Sequence, residues 1–400
     1  LKYDIIITGG GMAGLSLAYY LNHSTLRHKQ ILIIDREPKT RNDRTWAFWQ
    51  AGEGAFESIL YRHWNKLWFH GTEGFSHQLD LGQHQYKLLR GKDFYASIRA
   101  DLSRNPNIQY LFADLHSVET SAGSALVQTS KGEYRAQWCF DSTVPMQAIR
   151  MLTAEPASLP APRWQELLQH FKGWVVRTEK PVFDPETPIM MDFRIEQKNE
   201  CRFVYVMPFS ATEALVEFTL FTPTLLTPDE YDEALRAYLK DFFSLETYEI
   251  TEEETGIIPM SDEPMPEQPS PHVIRIGTAG GYTRASTGYT FTRTQKRLQG
   301  LVRQLEKNFS QSPVTNRPIS AQYRFYDQVL LNVFLKNRYS AATVFTDLFR
   351  KNPAHLIFRF LDEETSLRED LGVLYSVPVI PFTVAAFDVF KRNISEMFKR

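Results

Sequence analysis

Residues 3–36 read YDIIITGGGMAGLSLAYYLNHSTLRHKQILIIDR. The apolar run at 5–8 has the length of one buried parallel strand. It breaks into Gly9-Gly10-Gly11-Met12-Ala13-Gly14, after which Leu15, Leu17, Ala18 and Leu21 set a helical pattern. This is G-x-G-x-x-G between strand and helix: Gly9 allows the tight turn, Gly11 lets backbone approach a pyrophosphate, and Gly14 lets the helix pack closely on the strand. The phosphates would sit on the helix N-terminus beside Gly11, Met12 and Ala13, where unpaired N–H groups and the helix dipole favour an anion. A second strand, 30–34, ends in Asp35, about 20 residues beyond the glycines, as a carboxylate gripping ribose hydroxyls requires. Asp35 argues against a 2′-phosphate, so the pattern fits FAD or NAD rather than NADP; the competing reading is a turn aspartate.

The chain has 400 residues, too many for one ordinary core, so two domains with a helical appendage are expected. A formal net charge of −2 gives no electrostatic case for nucleic acid. Cys139 and Cys201 provide neither a disulfide framework nor a metal cluster, which makes a reducing, cytoplasmic compartment the expectation. No apolar run is long enough to span a bilayer, and the first residues read as a core strand rather than a signal peptide. Aromatic residues, 13% of the chain, fit either a site for a large apolar ligand or the filling of two cores.

After Asp35, residues 42–49 (NDRTWAFW) are expected to form a loop over the cofactor. There Arg44 would pair with phosphate, and Trp46 and Trp49 would wall a flat ligand, unless the loop is simply packed on the surface. A helix with Phe94, Ile98 and Leu102 on one face precedes short strands at 108–112, 117–119, 125–129 and 134–136, and a further parallel strand at 138–140. The latter ends in Asp141, a cofactor contact or a turn carboxylate. Pro156, Pro160 and Pro162 mark a boundary. Strands then follow without intervening helices from 173 to 221, reading as an antiparallel sheet, and a helix spans 227–243. At 272–276 another strand runs into Gly277-Thr278-Ala279-Gly280-Gly281 and a helix over 291–308. This is either a return to the nucleotide domain, with Gly277, Gly288 and Tyr289 at the cofactor, or an ordinary junction in the second domain. Beyond 321 the chain is helical and apolar on one side. Residues 377–390, followed by Lys391, Arg392, Lys399 and Arg400, either dip into a membrane interface or form a lid.

Taken together, GGGMAG (9–14), DRTWAFW (43–49), FKGWVV (171–176), VFDP (182–185), MMDFR (190–194), FVYVMPFS (203–210), ALVEFT (214–219), ETGIIPM (254–260) and GTAGGYTRASTGYTF (277–291) resemble the bacterial branch of the lycopene cyclase family of FAD-dependent proteins. The resemblance runs from 3 to about 390. It implies an α/β fold: an FAD-binding Rossmann-like domain (1–50, 85–155 and 272–310), an antiparallel-sheet substrate domain (51–84 and 156–271) and an apolar helical C-terminal region (311–400). It also implies cyclisation of the linear end groups of lycopene or a related carotenoid, an isomerisation that needs reduced FAD, with NAD(P)H as electron source, on a peripheral membrane protein. Thr278 departs from wider two-domain flavoproteins, which carry Asp there. Residues 360–365 (FLDEET) mimic the acidic motif of the plant branch, but are expected to form a helix with solvated carboxylates.

Ring closure of this kind starts by protonating a carbon–carbon double bond, which needs an acid still protonated near neutral pH. Glu217 is the candidate, because apolar neighbours in ALVEFTLF would penalise its anion. Strand alternation also permits Glu217 to lie on a wet face. Trp46, Trp49 and Phe218 are candidates for stabilising the carbocation, and Asp192 and Glu254 for accepting the ring proton or for structural ion pairs. Two other functions share such an architecture: an FAD-dependent monooxygenase or isoprenoid reductase, and a non-enzymatic carotenoid-binding flavoprotein.

Overall fold

Continuous apolar runs suit strands covered on both faces, and the two strands of the opening stretch are buried in that way. In the computed structural model, which describes residues 2–143, 163–314 and 320–398, β1 (Tyr3–Thr8) and β2 (Ile31–Asp35) pair in parallel, with Ile5, Ile7, Ile31 and Ile33 fully buried. Helix α1 (Met12–Asn22) connects them. Next come β3 (Thr45–Ala51), β4 (Arg62–Trp64), β5 (Lys66–His70), β6 (Ser76–Asp80) and β7 (His84–Arg90), followed by α2 (Gly91–Leu102). Residues 45–49, most of the loop expected at 42–49, therefore belong to a strand, β3, which is paired antiparallel with β7 and flanked through β7 by β4.

Strands β8 (Ile108–Phe112), β9 (Leu115–Ser121), β10 (Ser124–Thr129) and β11 (Gly132–Asp141) complete a first sheet of order β8-β2-β1-β11-β10-β9. β11 merges two expected strands: its first half pairs antiparallel with β10 and its second half parallel with β1.

The second sheet collects β12 (Glu166–Arg177), β13 (Ile189–Asp192), β14 (Cys201–Pro208), β15 (Glu213–Thr222) and, after α3 (Pro228–Phe243), β16 (Glu249–Ser261). Its order is β16-β12-β15-β14-β13-β5-β6, antiparallel except where β13 runs parallel to β5. α3 starts where Pro228 fixes the backbone and the Glu230 carboxylate accepts the Thr227 N–H at 2.7 Å. Its Leu235, Tyr238 and Leu239 cover Val204, Val216 and Phe218 on one face of the sheet.

The chain then returns to the first sheet, where β17 (Val273–Arg275) pairs parallel with β11. A 3-10 turn (Gly277–Gly280) leads to α4 (Phe291–Lys307), which lies on α1 through Gln295, its amide donating to Ser16 Oγ at 3.1 Å. Helices α5 (Ala321–Leu335), α6 (Ala341–Lys351), α7 (Ala354–Leu361), α8 (Leu367–Ser376) and α9 (Val379–Met397) cover the other face of the second sheet, packing Val344, Phe345 and Phe349 against Phe193, Phe203 and Phe221. The boundary at Pro156, Pro160 and Pro162 lies outside the described residues, as do Lys399 and Arg400.

Among the described residues no single helix is long and apolar enough to cross a membrane; α8 and the following 379–396 pass that test only as a pair bent by 118°. Both carry an apolar stripe turned outward: Leu367, Leu371 and Tyr375 on α8, and Ile380, Phe387 and Phe390 on α9, are between 54% and 78% exposed.

The helical region is pinned by a buried pair. Arg284 Nε donates to Asp327 Oδ1 of α5 at 2.9 Å, Ser286 Oγ donates to the same oxygen at 2.6 Å, and the guanidinium also donates to the Phe360 carbonyl at 3.1 Å. Removing one partner leaves a buried charge uncompensated. Asp327→Ala should therefore lose about 3–5 kcal/mol of stability in chemical denaturation, and pairing it with Arg284→Met should recover part of that loss.

Candidate active site

The glycine loop closes as its spacing requires. Gly9 takes φ +90°, and a Cβ at Gly14 would lie 2.0 Å from the Gly9 carbonyl oxygen, so α1 can approach β1 only without a side chain there. A Cβ at Gly11 would meet nothing within 4 Å. No side chain caps α1, and Gly11, Met12 and Ala13 form one end of a cavity of about 730 Å³. Gly277 faces Ala13 across that end. An elongated anion with its negative charge on the first turn of α1 fits this cradle. Gln169 Oε1 and Thr287 Oγ1, buried and without a protein partner, belong to the same wall.

The other expected contacts divide. Arg44, Gly277, Gly288 and Tyr289 line the cavity, with Arg44 exposed at its rim, while Gly9 and Gly14 shape the cradle without lining it. Asp35 accepts the Gly10 N–H at 2.8 Å and the Arg36 N–H at 2.6 Å, the bonds that the turn reading describes. Asp141 likewise accepts from Thr8 Oγ1 at 2.7 Å and from the Thr143 N–H at 3.0 Å. Thr278 lines the cavity with its hydroxyl 3.0 Å from that of Thr283.

Farther in, the wall becomes aromatic. Because 45–51 is a strand, its side chains alternate: Trp46 packs edge-on against Phe94 and Phe48 stacks on Phe291 at 4.1 Å, whereas Trp49 stacks on Phe358 at 4.7 Å and meets Tyr289 at 4.4 Å. Beyond Trp49 and Tyr289 an almost wholly apolar cavity of about 80 Å³, lined by Met190, Phe345, Leu348, Phe349 and Val377, continues beneath α8 and α9.

Glu217 stands on this wall, half-buried. Its face of β15 is not wet, since Leu215, Thr219 and Phe221 beside it are buried. Burial pushes the Glu217 carboxyl well above the usual carboxylate range, and neighbouring Glu254 pushes it further, against a bond from Thr219 Oγ1 to Glu217 Oε1 at 2.9 Å. Tyr205, the cross-strand neighbour of Glu217 on β14, comes within 3.4 Å of Tyr289, hydroxyl to hydroxyl. A neutral acid surrounded by π faces can give a proton to carbon and stabilise the cation that results.

Two expectations need correction, Phe218 and residues 360–365, and Asp192 takes the second of its two readings. Phe218 points to the opposite face of β15 and packs beneath α3, away from the cavity. Asp192 is fully buried on a different side of the sheet, where it accepts from Arg194 Nε at 2.8 Å and from the Tyr238 hydroxyl at 2.7 Å, a structural pair. Residues 360–365 are not a helix with solvated carboxylates. α7 ends at Leu361 and Glu363 takes φ +62°. Glu363 pairs with Arg293 at 3.0 Å and Glu364 with Lys296, while burial pushes Asp362 up to about 6. Leu361, Asp362 and Glu363 line the cavity, a placement that sequence reading missed because it needs the ion pairs between the turn after α7 and Arg293 and Lys296 of α4.

A parallel sheet with a glycine cradle at its strand ends, joined to an antiparallel sheet over a shared cavity, defines a two-sheet dinucleotide-binding fold. It is shared with a crystallised flavoprotein/dehydrogenase from Cytophaga hutchinsonii (TM-score 0.63, 11% identity, 99% of this chain and 100% of that one). A geranylgeranyl bacteriochlorophyll reductase-like protein from Thermoplasma acidophilum shares it too (TM-score 0.59, 15% identity, 99% and 98%). Residues 4–387 match the family model described as lycopene cyclase protein, and the chain belongs to that family. The lycopene beta-cyclase of Pantoea ananas is 23% identical over 96% of this chain and 97% of its own length; that of Pseudescherichia vulneris is 26% identical over 72% and 70%.

The empty surroundings of Gly11 separate binding from folding. Gly11→Val should melt like the parent yet purify without bound nucleotide, measured by cofactor absorbance and release on denaturation; Gly14→Val should lose both properties, since its Cβ meets the Gly9 carbonyl.

Proposed function

We propose that this protein closes the linear end groups of lycopene, or a related linear carotenoid, into β-rings, acting as an isomerase of the lycopene beta-cyclase kind. The observation that carries the reading is the place of Glu217, a carboxyl that burial pushes above the usual carboxylate range, on the aromatic wall of a cavity whose other end is a dinucleotide cradle. The cradle residues Gly9, Gly11, Met12, Ala13, Gly14, Asp35, Arg44, Gly277, Gly288 and Tyr289 would hold FAD, whose reduced form, replenished by NAD(P)H, would supply an electron-rich ring. Glu217 gives its proton to one carbon of the terminal double bond, the neighbouring double bond attacks the cation to form the ring, and loss of a ring proton restores neutrality. Trp49, Tyr205 and Tyr289 present π faces to the positive charge. Reactant and product have the same mass.

We divide the chain accordingly: 1–50, 85–155 and 272–310 for the cofactor, 51–84 and 156–271 for the substrate, and 311–400 as the apolar helical region. This last region supports peripheral attachment on the cytoplasmic side of a membrane, since the outward stripe of α8 and α9 lies over the apolar extension of the cavity, the direction from which a bilayer-dissolved polyene would enter. Lys391 is exposed to meet anionic lipid, whereas Arg392 is paired with Asp262.

Anaerobic incubation with lycopene and chemically reduced FAD tests the reading. An isomer of unchanged mass with a cyclised absorption spectrum is expected. Added oxygen or hydrogen would favour a redox flavoprotein, and binding without conversion a carotenoid carrier. Glu217→Gln should keep fold and bound FAD while losing roughly 100-fold or more of the cyclisation rate. In vesicle flotation the parent should rise with the lipid, and Ile380→Glu with Phe387→Glu should leave most of the protein in the dense fraction; equal flotation of both would remove α8 and α9 as the attachment face.

A further inference from the structure

β12 runs between β15 and β16, and one of its residues, Gly173, stands opposite Glu217 on one side and Glu254 on the other. Residues in register on adjacent strands point to the same face. Glu217 and Glu254 are thus separated by two strand spacings, about 9–10 Å between backbones. An ordinary side chain at the middle position would fill that gap. Gly173 leaves it open: a Cβ there would lie 3.4 Å from Glu217 Cβ, 3.3 Å from Glu254 Cγ and 3.0 Å from Leu215 Cδ1.

Glu254 lies behind Glu217, 6% exposed and outside the cavity wall. Its Oε2 accepts from Thr45 Oγ1 at 2.6 Å, but its Oε1 is buried with no protein donor. A buried carboxylate oxygen left unpaired is costly, and an acid O–H on the carboxyl facing it across Gly173 removes that cost.

Resting on the function proposed above, we infer that Glu217 and Glu254 form a carboxyl pair sharing one proton over Gly173, in which Glu254 is the positioning residue that keeps the transferable proton on Glu217. Burial raises the proton affinity of both groups. The negative charge of Glu254 adds to that of Glu217, while the bond donated by Thr45, the bond donated by Glu217 and the positive charge of Arg44 lower that of Glu254; with one Glu254 oxygen taken by Thr45 and the other in need of a donor, the geometry puts the shared proton on Glu217. The other titratable groups facing the pair are Tyr205 from β14, Tyr86 from β7, Tyr289 before α4, and Glu252. The tyrosines stay neutral because burial raises them, and Glu252 raises Glu254. In turnover the Glu217 proton forms the new C–H bond, leaving two carboxylates, of which Glu217 faces the cation and Glu254 stands behind it. The proton released from the closed ring returns to one of them, so neither protons nor electrons are consumed.

The sign of the pH effect follows. The active form carries a protonated Glu217, so kcat/KM falls as pH rises through its titration, and an anionic neighbour places that fall at higher pH. In the FAD-bound protein with lycopene in vesicles, Glu254→Gln should move the falling limb down by about one pH unit or more, giving about a 10-fold loss on the alkaline side that is recovered at lower pH. Glu254→Asp, which keeps the charge, should hold the limb near the parent position, and Gly173→Ala, which wedges the pair apart, should move it down. Infrared titration of the purified protein without substrate gives a second readout: a protonated-carboxyl band, lost in Glu217→Gln, whose midpoint falls in Glu254→Gln. An unmoved midpoint, or a loss by the same factor at every pH, would overturn the pair while leaving the cyclase reading intact. A shifted midpoint in a protein that converts no lycopene would uphold the pair and overturn the reaction.

Discussion

A carboxyl taken out of water has its proton affinity raised because its anion loses solvation, and the second sheet sets Glu217 in such a place. An antiparallel sheet commonly has one wet face. Here α3 covers one face through Leu235, Tyr238 and Leu239, and the C-terminal helices cover the other through Val344, Phe345 and Phe349. Glu217 therefore has nowhere to go but the cavity wall. The same double burial explains why both alternating sets of β15 are buried, Val216, Phe218 and Leu220 on one face and Leu215, Thr219 and Phe221 on the other.

β12 ties the two halves of the cavity together. Gln169, Phe171 and Gly173 follow one another along one face of this strand. Gln169 reaches the return loop at Gly288, where a Cβ would lie 1.8 Å from its Oε1, and Phe171 covers Gly256 on β16. Gly173 accommodates the two glutamates. At these three positions glycine admits a large side chain, so Glu217 and the return loop at Gly288 are held by one strand rather than by two independently placed walls.

What the sequence shows plainly is local. The fingerprint at 9–14, the strand at 31–35 and the start of α3 at Pro228 depend on residues within a few positions of one another, and these elements stand where their patterns put them. The strand at 45–51 was hidden because the charged Asp43-Arg44 runs straight into the aromatics of a segment paired with β7 alone. The turn at 361–365 was hidden because the apolar period of α7 runs up to it, and the positive φ of Glu363 leaves no mark in composition. Glu254 could be named from its motif, but not placed behind Glu217, because that needs the order β16-β12-β15, a register between strands far apart in the chain.

The strand order also imposes a schedule on folding. Thr8 and Asp141 meet across 133 positions, Trp64 reaches the Pro185 carbonyl across 121, and the first sheet gains its last parallel strand only at Val273–Arg275, after every strand of the second has been synthesised. The first sheet cannot gain its last strand until the whole of the second has been made. Loop-closure entropy must be met before these distant pairings reward it, so the nascent chain carries unpaired strand edges for most of its synthesis. An architecture that brings cofactor and acid to one cavity thereby forgoes the stepwise, one-domain-at-a-time maturation that a simple tandem arrangement would permit.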